Sequence, residues 1–162
     1  ILAALMPANR LACEVSLATG LRIGDVLALK TAALAQRMTV QEEKTGKNRR
    51  IRLTNDLYAR LLRQAGKTWV FPHRLDGKKH RTRQAVYKDL RRVRDLMRLK
   101  VNLSPHSMRK IYAVNEFHRD GDLKRVQKLL NHSSEAVTMI YAMADLQTRR
   151  RGGKSFGEGK AD

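Results

Sequence analysis

The chain has very little cysteine and few aromatic residues. Of its 162 residues, one is cysteine and 5% are Phe, Trp or Tyr. Cys13 alone can form neither an internal disulfide nor a zinc site built from several cysteines, and its apolar neighbours predict a buried side chain. This use of cysteine is typical of a reducing compartment such as the cytoplasm.

Long apolar runs are also missing. No segment approaches the ~20 apolar residues that are needed to cross a bilayer. The opening ILAALMP is too short for a signal peptide and lacks its basic flank. The sequence starts at Ile1, within a helical pattern, and we expect it to be a domain of a longer protein.

Acidic residues are scarce relative to basic ones. Lys and Arg number 34, Asp and Glu number 15, and the net charge is +19. Such an excess opposes compaction, and a polyanion would neutralise it; nucleic acid is the first candidate and an anionic membrane the second. Helices on membranes usually carry aromatic residues on their apolar face, so we favour DNA or RNA. A basic surface with no dedicated ligand is the remaining alternative.

Several motifs of nucleotide, hydrolase and metal chemistry are absent. The sequence contains no Walker loop, no Gly-x-Gly-x-x-Gly and no Gly-x-Ser-x-Gly. It also lacks the carboxylate clusters and the His-x-x-x-His spacing that suggest a metal site. We therefore expect neither a metal nor a cofactor.

Hydrophobic spacing and capping residues predict a mainly α fold with a small antiparallel β-sheet (α+β). Apolar residues recur at helical spacing in segments that begin at capping residues, such as Thr82 and Asp122, and that often end at a glycine, such as Gly20 and Gly121. The predicted helices are residues 8–19, 23–30, 55–65, 82–98, 105–120 and 123–130, with a last helix after Ser133 or Ser134. Residues 31–43 and 49–54 flank a Gly-containing turn and predict a hairpin.

Apolar stripes predict which faces of these helices are buried. The expected core residues are Leu57, Leu61 and Leu62, then Val86, Leu90, Val93 and Met97, and then Ile111, Val114 and Phe117. The candidates for contacts to a DNA groove, all on the 82–98 helix, are Arg83, Lys88, Arg91, Arg92 and Arg94. The tail 148–162 is rich in Gly and charge, and we expect it to be flexible.

Two cationic side chains share the first turn of a predicted helix. His106 and Arg109 are three residues apart and therefore lie on one face. They follow Ser104 as N-cap and Pro105 at the first helical position. Free N–H groups and the positive end of the helix dipole make such a helix start suitable for a phosphate. The alternative is a surface arginine in a salt bridge beside an exposed histidine.

Three other residues stand out by position. Arg22 lies at a break between two predicted helices, where a side chain can point into a cleft. His132 lies in a short loop between two helices, and Tyr141 follows it by nine residues. The structural alternatives are a capping or surface role for His132 and a core or rim role for Tyr141.

The order and spacing of these residues resemble the catalytic motifs of tyrosine recombinases, the family of phage integrases and Xer proteins. Residues 19–29, TGLRIGDVLAL, resemble its first arginine motif, and residues 44–47, KTGK, resemble its β-hairpin lysine. HSMR at 106–109 resembles its His-x-x-Arg box. LLNHSS at 129–134, followed by Tyr141, resembles its last histidine and its nucleophile.

The resemblance covers about residues 8–145 and implies the DNA breaking-rejoining fold, with 1–147 as the catalytic domain. The site residues that it implies are Arg22, Lys44, His106, Arg109, His132 and Tyr141. Lys47 is the competing choice for the lysine. The chain departs from the family pattern at Asp25, where Glu is common, and at Asn131, which replaces Gly. We expect the N-terminal core-binding domain of the family to lie outside this sequence.

The resemblance implies phosphoryl transfer through a covalent intermediate. Tyr141 would attack the scissile phosphodiester and form a 3′-phosphotyrosine, with release of a 5′-hydroxyl. Arg22 and Arg109 would stabilise charge on the non-bridging oxygens, and Lys44 would protonate the leaving 5′-oxygen. The histidine of the His-x-x-Arg box would assist proton transfer, and the last histidine would hydrogen-bond the phosphate.

The function implied is site-specific DNA recombination of the phage or mobile-element type. A type IB topoisomerase-like enzyme and a non-catalytic DNA-binding module of the same fold are the alternatives. The expected partner is double-stranded DNA, with accessory DNA-bending proteins. We expect a homo-tetramer on synapsed DNA, a monomer in isolation, no membrane partner, and a location at the nucleoid in the bacterial cytoplasm.

Overall fold

The computed structural model describes residues 1–130, where helices outnumber strands. Besides short 3₁₀ turns at Leu2–Ala4 and Thr31–Ala33, this part of the chain forms six α-helices and one antiparallel pair of strands. In chain order these are α1 (Pro7–Thr19), α2 (Ile23–Leu27), β1 (Arg37–Gln41), β2 (Asn48–Arg52), α3 (Asn55–Gln64), α4 (Arg83–Leu96), α5 (Pro105–Asp120) and α6 (Leu123–Leu129). The predicted α+β class is confirmed.

The turn between α1 and α2 depends on a glycine. Pro7 occupies the first turn of α1, where its missing N–H is not needed. Gly20 follows the helix with a φ of 66°, and its N–H donates to the Ser16 carbonyl at 2.8 Å. The turn places Arg22 at the N-cap of α2, at the predicted break between the two helices.

The segment between α2 and β1 belongs to neither element, although both predictions extend into it. The Leu29 carbonyl accepts a hydrogen bond from the Val70 N–H at 2.9 Å, and Lys30 forms an isolated β-bridge with Trp69. The backbone of Lys30 is extended there, with φ −83° and ψ 137°, which is incompatible with a helix that continues to residue 30. The helix therefore ends after five residues, and β1 starts later than predicted.

The register of the hairpin decides which of its arginines is buried. In the antiparallel ladder, Val40 pairs with Arg49 and Met38 pairs with Ile51. Successive side chains of a strand alternate between its faces. Arg49 and Ile51 are therefore buried, whereas Arg50 between them is exposed.

Residues 1–112 form one compact unit with a continuous apolar core. In this unit α1 contacts α2, α3 and α4. Its fully buried side chains include Val15, Leu21, Val26, Leu61, Phe71 and Leu90. Each fully buried side chain of this size contributes ~1.5–3 kcal/mol relative to an exposed one. The core therefore fixes the elements that carry the candidate site.

Cys13 lies in this core, as its neighbours predict. Its side chain is fully buried and unbridged. Burial raises the pKa of the thiol to about 12, so the thiol is protonated at neutral pH. Because the thiolate is the reactive form of cysteine, this residue is chemically inert in the folded chain.

Three residues expected in the core are exposed, so those predictions are wrong. Leu62, Met97 and Ile111 are 50%, 41% and 41% exposed. Leu62 is rotated by ~100° from its buried neighbour Leu61, because a helix has 3.6 residues per turn. Met97 follows the last residue of α4, where the helical spacing no longer applies.

The error at Ile111 arises because the buried face of α5 contains an arginine. Met108, Arg109 and Ala113 are the buried residues of this helix, while Val114 is half-buried. A hydropathy pattern assigns arginine to solvent and therefore rotates the expected core face away from Arg109.

The described part of the second compact unit runs from Ala113 to Leu130. Gly121 follows α5 with a φ of 67°, as predicted for a helix stop. The Asp122 carboxylate accepts a hydrogen bond from the Arg125 N–H at 3.0 Å and caps α6.

The predictions for residues 131–162 lie outside the described residues. They concern the loop with His132, the last helix with Tyr141, and the tail 148–162. Among the helices of residues 1–130, none is both long enough and apolar enough to cross a bilayer.

Candidate functional site

A cavity of about 520 Å³ brings four of the predicted site residues together. Arg22 from the start of α2, Lys44 from the hairpin turn, and His106 and Arg109 from α5 all line it. The other lining residues are Ile23, Gly24, Asp25, Glu43, Arg83, Gln84, Tyr87 and Pro105. The last predicted histidine and the predicted tyrosine are outside the described range.

The loop that carries Arg22 is held by side chains of α1. Ser16 Oγ donates to the Leu21 carbonyl at 2.7 Å, and Thr19 Oγ1 accepts a hydrogen bond from the Leu21 N–H at 3.3 Å. The backbone of Arg22 is extended, with φ −65° and ψ 145°. The arginine therefore precedes the first turn of α2 on a backbone that α1 fixes.

Two buried arginines from other elements hold the same loop by its carbonyl groups. Arg109 of α5 is 2% exposed, and its Nη1 donates to the Gly20 carbonyl at 2.8 Å. Arg49 of β2 donates to the Thr19 carbonyl at 2.6 Å and to the Gly20 carbonyl at 3.3 Å. Charge-assisted hydrogen bonds therefore join the loop to β2 and to the start of α5.

Gly20 is also the point where this loop and α5 approach each other closely. A Cβ added to Gly20 would lie 2.4 Å from Cδ1 of Tyr112 and 2.9 Å from Nη2 of Arg49. The Arg49 guanidinium lies 5.6 Å from the centroid of the Tyr112 ring, in a cation–π contact. A side chain at position 20 would be strained by the positive φ and would also collide with the ring.

One buried carboxylate, which no motif predicts, faces three arginines. Glu42 has no exposed surface, and its Oε2 accepts hydrogen bonds from Arg22 Nη1 and Thr45 Oγ1. Its Oε1 lies 3.6 Å from Arg49 Nη1 and 3.9 Å from Arg109 Nη1. Burial of a charged group is costly unless the charge is paired. Glu42 therefore makes this concentration of arginines compatible with the fold.

Strand alternation contains a signal for both of the residues that the motifs miss. Arg49 lies two residues before the buried Ile51, and Glu42 lies two residues after the buried Val40. A period of two places each charged residue on the buried face of the hairpin. Sequence reasoning assigns both to solvent because Arg and Glu are rarely buried.

His106 and Arg109 are in different environments on α5. The helix begins at Pro105, as predicted, and His106 in its first turn is exposed. The alternative in which Arg109 is a surface residue is wrong, because its side chain is buried. Burial, followed by the positive charge of Arg22, lowers the pKa of Arg109 to about 10. The guanidinium therefore remains protonated at neutral pH.

The hairpin turn carries Lys44 and is fastened to α2 by Asp25. The Glu43 N–H donates to Asp25 Oδ1 at 3.0 Å, which holds the residue next to Lys44 at the cavity. Burial raises the pKa of Asp25 above its usual value of 3.8. In the described part of the chain, Lys44 lines the cavity and Lys47 does not. The geometry therefore favours Lys44 over Lys47 as the site lysine.

α4 adds two side chains to the cavity. Arg83 and Tyr87 are four residues apart on one face of the helix, and both line the cavity. Thr82 caps the helix as predicted, since its Oγ1 accepts a hydrogen bond from the Ala85 N–H at 3.2 Å. The sequence predicts Arg83 only as a contact to a DNA groove, whereas the structure makes it a further cation of the site.

The chemistry of the cavity suits a bound phosphate. Guanidinium groups present forks that match phosphate oxygens, and an ammonium group can donate a proton as well as a hydrogen bond. Within residues 1–130, no group of three His, Cys, Asp or Glu side chains could hold a metal ion.

Similar sequences point in the same direction. Residues 2–148 match the family model described as the phage integrase family. The chain is 32% identical over 136 residues to the tyrosine recombinase XerC of Mesorhizobium japonicum, covering 78% of this chain and 44% of that protein. It is 31% identical over 140 residues to the tyrosine recombinase XerD of Rhizobium meliloti, covering 79% and 44%. The chain thus spans less than half the length of these relatives.

Solved structures share the fold. A XerH site-specific recombinase bound to its palindromic difH substrate superposes with a TM-score of 0.68 at 21% identity, covering 93% of this chain and 46% of that one. A lambda integrase dimer bound to a core site gives a TM-score of 0.64 at 21% identity, covering 96% and 56%. Identities this low show the fold alone, and this fold confirms the predicted DNA breaking-rejoining architecture.

Proposed function

The chain belongs to the phage integrase family of tyrosine recombinases, and we propose that it cuts and rejoins double-stranded DNA at a specific site through a 3′-phosphotyrosine intermediate. The observation that carries the proposal is the single cavity lined by Arg22, Lys44, His106 and Arg109. Arg22 lies at the start of α2, Lys44 in the hairpin turn, and the other two residues on α5. Relatives named as tyrosine recombinases support the same reaction.

In the proposed reaction, Arg22 and Arg109 bind the scissile phosphate. The Gly20 carbonyl already holds the Arg109 guanidinium, so this side chain needs little reorganisation before the chemical step. Negative charge grows on the non-bridging oxygens as the phosphorus becomes five-coordinate. Cations fixed at that place stabilise the transition state more than the substrate.

Proton movement is assigned to three other side chains. The Tyr141 oxygen forms a bond to phosphorus while the bond to the 5′-oxygen breaks, and the Lys44 ammonium gives a proton to that leaving oxygen. His106 assists the loss of the tyrosine proton, and His132 donates a hydrogen bond to the phosphate. A phenol has a pKa of ~10 and leaves more readily than an alcohol, so a 5′-hydroxyl can reverse the step without ATP.

We also propose how the chain is used. Residues 1–147 act as the catalytic domain, and 148–162 follow it as a C-terminal tail. The net charge of +19 and the DNA-bound state of the similar XerH recombinase support double-stranded DNA as the partner. Chains that are monomers in isolation form a homo-tetramer on synapsed DNA, with accessory DNA-bending proteins, at the nucleoid in the bacterial cytoplasm.

The first experiment traps the covalent intermediate. The DNA that flanks the gene supplies the candidate site, and a nicked duplex of that sequence prevents resealing. We expect an adduct that survives SDS and that forms in EDTA without ATP, and we expect none with Tyr141→Phe. An adduct with that variant would assign another nucleophile, and relaxation of plasmids of any sequence would indicate a topoisomerase-like enzyme. DNA binding without an adduct would leave only a binding module.

A second experiment tests Lys44 as the general acid. Lys44→Ala should slow adduct formation by ~10²–10⁴-fold, the usual contribution of general acid catalysis. A 5′-bridging phosphorothioate should restore the rate, because a thiolate leaves without a proton. Lys47→Ala is the matched control and should retain most of the rate. Rescue of Lys47→Ala instead would transfer the role to that lysine.

A further inference from the structure

The carboxylate of Glu42 is a buried charge beside the proposed phosphate site that the proposed reaction does not use. It is fully buried, accepts a hydrogen bond from Arg22, and lies 3.6 and 3.9 Å from Arg49 and Arg109. We propose that Glu42 is a positioning residue, which directs the Arg22 guanidinium toward a bound phosphate, while Arg49 holds the loop that carries Arg22. The effect on strand cleavage rests on the proposed function, whereas the effect on phosphate binding can be tested without it.

The contacts of Arg22 show how Glu42 would act. The Arg22 side chain is half-buried and lines the cavity, and its Nη1 donates to Glu42. A guanidinium has five N–H donors in a rigid fork, so this bond leaves others for a phosphate. A free arginine side chain loses considerable rotamer entropy when a ligand fixes it. A guanidinium that is already held loses less when the ligand binds, which strengthens binding.

The backbone around Glu42 links its carboxylate to the lysine of the site. The Glu42 carbonyl accepts a hydrogen bond from the Gly46 N–H at 2.8 Å, and its N–H donates to the Lys47 carbonyl at 2.9 Å. Thr45 Oγ1 donates to the carboxylate itself at 3.1 Å. The turn that carries Lys44 thus anchors the carboxylate that holds Arg22. Glu42 therefore fixes the position of Arg22, a proposed phosphate-binding cation, relative to Lys44, the proposed proton donor.

Arg49 holds the loop that carries Arg22. It spans from the Thr19 and Gly20 carbonyls to the neighbourhood of the Glu42 carboxylate. Three guanidinium groups lie around the Glu42 carboxylate, and the Asp25 carboxylate also interacts electrostatically with Arg22 and Arg109. These three cations outnumber the two carboxylates, which suits an anionic ligand. Without Glu42 the three cations would repel one another at short range, and the half-buried Arg22 is the one free to turn away from the other two.

Inorganic phosphate is the probe for the first test. Its affinity for the protein is measured by ³¹P NMR. The binding component assigned to the site is the part of this binding that the Arg22→Ala variant loses. Although Glu42→Gln adds one positive charge, we expect it to weaken this component by ~10-fold, near the upper end of the cost of ordering one long side chain on binding. Asp56→Asn, an exposed site with the same charge change, should bind phosphate as the unchanged protein does. Equal or tighter binding by Glu42→Gln would overturn the proposal, since charge alone predicts that result.

Glu42→Asp separates position from charge. It keeps the carboxylate but withdraws it by one methylene, and we expect a loss of phosphate affinity of ~3-fold or more on the same reasoning. Unchanged affinity in this variant would overturn the proposal. This variant also decides the question if Glu42→Gln gives no cooperative melting transition.

Strand cleavage provides the second readout. In single-turnover reactions at saturating nicked duplex, Glu42→Gln should form the adduct ~10–100-fold more slowly, while its DNA affinity stays within ~3-fold because most phosphate contacts lie elsewhere. Parallel loss of rate, DNA affinity and melting temperature would indicate a structural role instead. If the unchanged protein forms no adduct but Glu42→Gln still loses phosphate affinity, the proposed function fails and this inference stands.

Discussion

Asp89 and Asp25 are both buried aspartates, 6% and 5% exposed, and their pKa values shift in opposite directions. Asp89 joins α4 to α1: its Oδ2 accepts hydrogen bonds from Asn9 Nδ2 and the Met6 N–H, both at 2.8 Å, and its Oδ1 accepts from Arg92. Burial alone would raise the pKa of Asp89, but these bonds outweigh it and lower the pKa.

Asp25, in contrast, lines the cavity and is less well satisfied. Its Oδ1 accepts one hydrogen bond, from the Glu43 N–H, and within the described chain its buried Oδ2 has no hydrogen-bond partner. Burial therefore dominates and raises the pKa of Asp25. The scaffold aspartate stabilises the fold, whereas the site aspartate holds a loop in place at a cost in solvation.

The largest expected effect tests the scaffold side of this contrast. Asp89→Ala removes the acceptor of several buried donors and should cost ~3 kcal/mol, or about 6–12 °C in melting temperature for a chain of this size. Calorimetry checks this value, with the exposed Asp95→Asn on the same helix as the control. Adduct formation per folded molecule should not change. A loss of less than ~1 kcal/mol would contradict the role assigned to Asp89.

Gly20→Ala should have the next largest effect, and it acts on the site side. The positive φ and the overlap with Tyr112 together should cost ~2 kcal/mol. Gly121→Ala is the matched control, because Gly121 has nearly the same φ of 67° but, among residues 1–130, no atom within 4 Å of the added Cβ. Its cost should be ~1 kcal/mol, from strain alone. Equal melting temperatures for the two variants would show that the Tyr112 ring moves aside without a cost in stability.

Asp25→Asn should change stability least. The amide oxygen can still accept from the Glu43 N–H, and the variant removes a buried charge whose pKa shows that the fold disfavours it. We expect the free energy of unfolding to stay within ~1 kcal/mol of the unchanged protein or to rise. Urea denaturation measures this difference. A drop as large as that of Asp89→Ala would erase the contrast between the two carboxylates.

The pH dependence of stability should distinguish the same two residues by sign. The pKa of Asp89 is lowered on folding, so its contribution is present above its unfolded value and is lost as the pH falls through the folded value. The pKa of Asp25 is raised, so its cost at neutral pH is relieved as the pH falls through the folded value. Between about pH 7 and about pH 3, Asp89→Asn should lose less stability than the unchanged protein and Asp25→Asn more. Parallel curves in urea titrations would refute both assignments.

Site residues that lie next to a helix-ending or helix-starting residue were predictable from sequence. Arg22 follows the helix-ending Gly20, and His106 follows Pro105 at a helix start, so neighbours in the chain fix their backbone. Arg49 and Glu42 were not predictable in this way. Their burial depends on which face of the hairpin packs inward, and residues distant in sequence decide that face.

The same distinction applies to the fold: features that depend on neighbouring residues were predictable, and features that depend on distant contacts were not. Helix starts at Thr82 and Asp122 were predicted correctly because a side-chain cap is a local interaction. The exposed Leu62 and Met97 were wrongly assigned to the core because packing partners, rather than spacing along one helix, determine how far a buried stripe extends. Arg109 shows the extreme case, since an ion pair with Glu42, which is distant in sequence, allows an arginine to lie on a buried helix face.

The two-residue alternation of β2 also sets the tolerance of this chain to insertions and deletions. Arg49 and Arg50 are chemically identical, and only their position in the ladder opposite Val40 and Thr39 separates the buried side chain from the exposed one. Adding or removing one residue in the turn between Glu42 and Asn48 would exchange the two faces without altering composition or charge. Related sequences should therefore vary in the length of this turn by even numbers of residues, or compensate with a bulge.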